Sequence, residues 1–474
     1  MKNGYHDLTR HVLATALFLA CAALSTGAAG AEDLLGSDAG DRRELQLTVY
    51  NHDLALVREV RRIDLPKGTF GLEFRDVPAR INPVTLLVTG DGGTGLTVLE
   101  QNYEFDLLSP ERILAKYVGR QISWIQEDGS RVTGTLLGTN SGPVYEVDGE
   151  VVFEVPGRIA LPSLPGNLRA RPTLVWTAHS EKSGAADVDA SYLTGGISWQ
   201  ADYVLEIARD EKTADLQAWV SVDNRSGATY DDAGLLLVAG DINQAPPQRL
   251  VMAEMADYGA KAVPAGFAEE SLFDYHLYTL QRPTTLKDNQ IKQISLFEAE
   301  GLGVRKIYRL DGSPQYFRSV GPLVDKPGVD VRYAFENRRE NRLGMPLPAG
   351  VVRVYGRSAE GSRQLLGEDR IGHTAKDEEV ELLVGRAFDI VAERVRTDSR
   401  RVSDRVYRHT FAITLRNHKS APVAVEVVEN VGGFWEILDS SLAFSKRDAN
   451  TIAFDVPVPA DGETVLTYTV QVTY

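Results

Sequence analysis

Apolar and polar residues alternate in run after run along this chain, and this period of two restricts its fold most. Leu45, Leu47 and Val49 alternate with polar neighbours, as do Phe70, Leu72 and Phe74. Ile197, Trp199, Ala201, Tyr203, Leu205 and Ile207 repeat the pattern. Such a period puts alternate side chains on one face of a strand. Turn signals separate the runs at Asp128-Gly129, Asp148-Gly149, Asp311-Gly312 and Asp461-Gly462. Many short strands with turns of this kind predict an all-β, multi-domain sandwich architecture with one or a few short helices. The best helical signal is Ser109-Pro110-Glu111-Arg112. Here Ser caps, Pro takes the first helical position and Glu meets the positive end, giving a short helix to about Val118.

A chain of 474 residues exceeds one ordinary core, so two or three domains are expected. Residues 32–43 read as an N-terminal linker and 44–168 as a first β domain, closed by Pro162-Ser163-Leu164-Pro165-Gly166-Asn167. Residues 169–384 read as a middle β domain with an irregular excursion over 245–271. Residues 385–474 read as a C-terminal immunoglobulin-like sandwich. There Phe411, Ile413 and Leu415 precede the turn Asn417-His418-Lys419-Ser420. Ile452, Phe454 and Val456 are expected to pair with Leu466, Tyr468, Val470 and Val472 across a turn from Pro459 to Gly462, with Tyr468 packed inward.

The N-terminus carries a weakly basic flank (Lys2, Arg10), an apolar run from Val12 to Leu24 and an Ala29-Gly30-Ala31 end. These are the parts of a secretory signal peptide, residues 1–31, and the run falls short of the ~20 apolar residues of a spanning helix. Export to the periplasm or cell envelope is the expectation, with a mature chain from Glu32 and no integral membrane segment. Phe18-Leu19-Ala20-Cys21 also loosely resembles a lipidation box, the alternative being a lipoprotein anchored at Cys21. Cys21 is the only cysteine, so cleavage after Ala31 leaves neither a thiol nucleophile nor a disulfide. The formal charge is −15, from 51 basic and 66 acidic residues. That balance argues against general nucleic-acid binding, which wants a basic footprint.

Three phrases carry a family likeness: Gly195-Gly196-Ile197-Ser198-Trp199-Gln200-Ala201-Asp202-Tyr203, Val222-Asp223-Asn224-Arg225-Ser226-Gly227, and Leu343-Gly344-Met345-Pro346-Leu347-Pro348-Ala349-Gly350. They resemble an uncharacterised exported bacterial family, domain of unknown function 4139, shared with mucoidy inhibitor A-like proteins. The resemblance covers the second and third regions. It implies an exported β-rich protein and carries no catalytic motif.

Candidates for chemistry are few. In Asp274-Tyr275-His276-Leu277-Tyr278 a strand would place Asp274, His276 and Tyr278 on one face, either as a proton relay or as a histidine bonded inside the protein. No pair of histidines has the HExxH spacing. Gly356-Arg357-Ser358-Ala359-Glu360 begins like a nucleophile elbow but has Glu where the second Gly belongs. Ser180-Glu181-Lys182 has no supporting motif, and Glu368-Asp369 and Asp231-Asp232 are strand neighbours that point apart. Arg394, Arg396, Arg400, Arg401, Arg405 and Arg408 make a basic stretch suited to an anionic glycan or lipid headgroup, or else a solvated hairpin. Trp199 and Tyr203 offer a platform for a sugar ring, or core. No catalytic set, metal site or cofactor is implied. The leading expectation is a non-catalytic envelope scaffold or binding protein, its partner another envelope protein. Alternatives are a polysaccharide-binding protein and a hydrolase whose residues meet only in three dimensions. The alternating C-terminus also suits an outer-membrane strand, but Arg58 and Arg62 interrupt one phase of Leu54 to Ile63 and Glu59 and Arg61 the other.

Overall fold

The structure, a computed structural model, describes residues 34–90, 93–104, 109–140, 142–163, 169, 171–240, 267–272 and 275–474. It is all-β apart from short 3-10 turns and one α-helix among the described residues, Pro110–Lys116. That helix forms where the sequence places it: Ser109 Oγ accepts from the Arg112 N–H at 3.2 Å and Pro110 needs no partner for its nitrogen. No helix of the described residues is long and apolar enough to cross a membrane.

The strands do not stay within the three sequence regions. Arg42–Tyr50 lies beside Tyr230–Ala239 in parallel, with Leu47 opposite Leu235 and Val49 opposite Leu237. Ala55–Leu65 pairs with Gly184–Thr194, and Gly68–Arg75 with Thr173–Ser180. A domain border at 168/169 is therefore corrected, because it would cut two sheets. The proline-rich segment has another meaning. Thr97–Glu104 and Thr173–Ser180 are themselves partners, Glu104 opposite Thr173. The chain leaves the sheet after one strand and returns at its neighbour. Between them a small unit of one helix and five strands builds its own core from Tyr117, Ile122, Trp124, Leu136 and Tyr145. The described part of the 32–43 linker is structured too. Leu35–Ser37 pairs in parallel with Gly68–Arg75, and Arg42 already begins a strand.

A second five-stranded sheet, ordered Gln290–Gly303, Thr213–Asn224, Ile197–Ile207, Gly350–Arg357, Arg363–Ile371, covers the first assembly. Their shared core holds Leu47, Val57, Tyr192, Trp199, Tyr203 and Leu237.

The border at 384/385 also fails, since it falls inside one 23-residue strand, Glu379–Arg401. Val380 and Leu382 of that strand lie in the first core, whereas Ile390 and Ala392 lie in the C-terminal one. Its neighbour Gly328–Glu336 does the same, with Tyr333 and Phe335 in the first core and Val329 in the second. Two strands thus weld the cores together. The C-terminal sheet has ten strands and recruits Arg305–Asp311 and Gly328–Glu336 from the middle region.

Within it the expected hairpin is replaced by a crossover. Thr451–Val458 pairs with Val423–Asn430, Phe454 opposite Val427. Gly462–Thr473 pairs instead with Val406–Asn417, Tyr468 opposite Phe411. The turn carries the chain from one layer to the other, so Phe454 and Tyr468 meet face to face at 5.3 Å across the core. Alternation marks inward residues equally well whether they meet along a sheet or across it. Tyr468 is packed inward, at 1% exposure.

Candidate functional site

Trp199 and Tyr203 form no platform. Their strand has Ile197, Ala201, Leu205 and Ile207 on the same face, and that apolar face is buried between two sheets. Trp199 is 3% exposed and its indole N–H donates to the Val238 carbonyl at 3.1 Å. Tyr203 donates to the Pro348 carbonyl at 2.8 Å, and burial pushes its phenol well up. Tyr278 donates to the Pro346 carbonyl at 2.9 Å. The two prolines of Leu343 to Gly350 thus present carbonyls to two buried tyrosines. Asn337 adds to this, donating to the Met345 carbonyl and accepting from the Gly344 N–H. Asn224 does similar work in its own phrase: it donates to the Ala228, Leu286 and Lys287 carbonyls while accepting from Ser226. The phrases that carry the family resemblance spend these polar groups on holding the fold.

Of the Asp274-His276-Tyr278 row, His276 and Tyr278 are described. Asp274 lies outside the described residues. His276 and Tyr278 share a face, opposite Ala239 and Leu237. Tyr278 is fully buried with its hydroxyl engaged by Pro346. Ser180 is buried too, donating to the Thr94 and Lys182 carbonyls. Asp369 accepts from the Leu383 N–H while Glu368 pairs with Arg353, so these carboxylates do not converge. Among the described residues no group of three or more His, Cys, Asp and Glu side chains could hold a metal ion.

The basic stretch is split by its own strand. Arg394 and Arg396 point inward, then the register shifts between Arg396 and Asp398. Arg394 is 0% exposed, bonded to Glu429 at 2.6 Å and lying 4.8 Å from the Tyr316 ring. Arg396 donates to the carbonyls of Tyr316 and Gly321. These two are therefore corrected as ligand contacts: they tie down the segment from Ser313 to Asp325. His409 is the third tie. Its Nε2 sits 3.1 Å from the Phe317 carbonyl, which can only accept, so Nε2 carries the proton and Nδ1 accepts from Ser399. Burial pulls its pKa down, Arg396 adding to the effect. Arg400, Arg401 and Arg405 stay exposed, Arg401 holding Asp404 at 3.1 Å.

An open cleft was not foreseen from the sequence. It measures about 520 Å³ and lies where the turn after Ile197–Ile207 and the hairpin of Gly350–Arg357 with Arg363–Ile371 meet the shared strand Gly328–Glu336. Ile207, Tyr333 and Leu366 line it together with Arg209, Glu211 and Gln364. Lys306 Nζ lies 2.7 Å from Glu211 Oε1. Burial drives the neighbouring Tyr333 phenol up to about 12. Arg209 donates to the Ser358 and Ala359 carbonyls and so fixes the hairpin. Ser358 itself pairs with Ser362 at 2.7 Å, in a hairpin rather than a strand-to-helix elbow. The only sequence signal here was that failed elbow, since the walls come from three separated segments.

Compared with known proteins, the chain matches no family model and no curated protein.

Proposed function

We propose that this chain is an exported cell-envelope protein that works without catalysis, as a scaffold or binding partner acting through the surfaces of its β-domains. One observation carries the reading: the strands Gly328–Glu336 and Glu379–Arg401 each enter both large cores. A body welded in this way holds its outer faces at fixed positions, which suits a scaffold. The tryptophan, tyrosine and arginine residues that suggested chemistry are largely spent on that framework. Export follows from the N-terminal pattern, and the family resemblance agrees with it. Immunoglobulin-like topology in the last region belongs to the same reading.

Cross-linking of the tagged full chain in native envelopes, followed by identification of partners, tests the scaffold. A discrete envelope partner is expected. Recovery of the chain alone, under cross-linking that captures known envelope complexes, overturns the reading. Mass spectrometry of the mature N-terminus is expected to find Glu32 first, and an acylated Cys21 there overturns the soluble export.

A second reading is favoured by the exposed Arg400, Arg401 and Arg405 in an otherwise acidic chain: an anionic envelope glycan docks at this hairpin end. Arg400→Glu with Arg401→Glu then weakens binding to polygalacturonate at low salt, and salt weakens the native interaction. Binding indifferent to both removes this reading.

A further inference from the structure

The cleft between the Gly350–Arg357 and Arg363–Ile371 hairpin and the shared strand has a mixed chemistry that no structural role exhausts. Its floor is apolar, from Ile207, Tyr333 and Leu366. Its rim carries both donors and acceptors. Arg209 uses Nη2 on the Ser358 and Ala359 carbonyls, leaving Nε and Nη1 without a partner among the described residues. Glu211 accepts at Oε1 from Lys306 at 2.7 Å and, more weakly, from the Tyr333 hydroxyl at 3.5 Å, leaving Oε2 without a partner among the described residues. Gln364 directs Nε2 to Ser362 at 3.3 Å and keeps its carbonyl oxygen. The volume of about 520 Å³ falls among small-molecule sites, which join an apolar lining to a few placed polar groups.

Charge selects the class of ligand. The charges at the cleft are already matched: Glu211 pairs with Lys306, Arg357 pairs with Glu206, and Arg209 is turned onto two carbonyls, so neither sign of ligand charge finds an unpaired partner of full strength. Hydroxyl groups both donate and accept, so a ring carrying several of them satisfies this rim while its apolar face covers the floor. We propose that the cleft binds a neutral polyhydroxylated ligand, a short saccharide, between Glu211, Arg209 and Gln364. The site is separate from the exposed arginines and stands whether or not the scaffold reading does.

The test uses the full mature chain with cellobiose, maltose and diacetylchitobiose as neutral probes and sodium glucuronate as the anionic one. Saturation-transfer NMR detects binding and calorimetry gives its strength. At least one neutral disaccharide is expected to bind. Glu211→Gln and Gln364→Ala are each expected to weaken it by about tenfold or more, with unchanged melting temperatures. Gln364 is exposed, so its variant keeps the fold. Arg400→Glu with Arg401→Glu is expected to leave it unchanged. The proposal is overturned by no neutral probe binding up to about 10 mM, by binding indifferent to both cleft variants, by glucuronate alone binding, or by loss with the arginine pair.

Discussion

Among the described residues two arginine–glutamate pairs are buried at 0% exposure, one in each large core, and they are built very differently. In the first, Glu59 Oε2 accepts from Arg42 Nε at 2.9 Å and from Arg61 at 3.1 and 3.0 Å, while Oε1 accepts from the Tyr192 hydroxyl at 2.9 Å. Arg61 also reaches the Ser37 carbonyl and lies 3.5 Å above the Phe74 ring. In the second, Arg394 makes one bond to Glu429, leaving Arg394 Nε and Nη1 and Glu429 Oε2 without partners among the described residues. Tyr468 lies beside Glu429 with its hydroxyl outside hydrogen-bond geometry. Burial holds the Glu429 carboxyl above its ordinary range despite Arg394. The difference teaches that a buried pair holds a fold through the bonds that surround it, because Coulomb attraction alone barely repays desolvation.

The largest effect is expected at the crowded pair. Glu59→Ala leaves Arg61 charged in the core and strips Arg42 and Tyr192 of an acceptor. Breaking a buried pair this way costs ~3–5 kcal/mol, and denaturant unfolding of the purified chain measures it. A loss near zero would mean that water replaces the carboxylate. Tyr468→Ala comes next. Its ring is stacked between Phe411 and Phe454 at 5.4 and 5.3 Å, and cutting a buried aromatic to Ala costs ~3–5 kcal/mol. Tyr468→Phe, by contrast, is expected to change the melting temperature little, since it removes an oxygen that no well-formed bond holds. A large loss from Tyr468→Phe would show that the hydroxyl does bond to Glu429.

How much of this stood in the sequence can be read from the same residues. Alternation found the strands and put Tyr468 inside, because side-chain direction is a local property of a strand. It could not say which strand lies beside which, hence the lost hairpin and the two misplaced borders. Glu59 and Arg61 were visible as breaks in an apolar phase. Their meaning depends on Ser37 and Arg42, brought alongside by pairing that leaves no local mark. Arg394 and Arg396 looked exposed because charge is usually solvated, and the register shift that divides their stretch is a tertiary event. Asn417 shows the opposite case. Its Oδ1 accepts from the Lys419 N–H at 3.0 Å, a local Asx turn of the kind that the turn reading anticipates. Its two bonds to the Ala421 and Pro459 carbonyls, matching those of Asn224, needed the structure. The cleft was illegible for the same reason as the pairings.

A double replacement sharpens the contrast between the pairs. Arg394→Met with Glu429→Leu removes both charges and the orphaned atoms together. Such swaps are often neutral or stabilising by ~1–4 kcal/mol, so unfolding free energy is expected to hold or rise. Arg61→Met with Glu59→Leu instead deprives Arg42, Tyr192 and Ser37 of partners, at ~1–3 kcal/mol for each group left buried and unbonded. Equal outcomes for the two doubles would break the comparison.

The smallest expected effect lies in pH and belongs to the second core alone. His409 ties the Phe317 carbonyl through Nε2 and accepts from Ser399 at Nδ1, so the neutral ring fits both partners. Burial lowers its folded pKa below 6.5. Between the folded and unfolded values the unfolded chain holds more protons, so stability rises with pH through that window. The contribution is fully present above the unfolded value and is lost as pH falls through the folded one. Glu429 acts in the opposite sense, because its raised carboxyl makes the folded state the better proton holder as pH rises past the ordinary carboxylate range. The wild-type curve mixes both, so the measurement is a difference. His409→Gln keeps a side-chain donor and an acceptor without a titrating ring. Subtracting its stability from that of the wild type between about pH 5 and pH 7 should leave a term that falls as the solution is acidified. A flat difference would mean that the ring takes up its proton without losing the Phe317 and Ser399 contacts, so that the tie on the segment from Ser313 to Asp325 does not depend on a neutral ring.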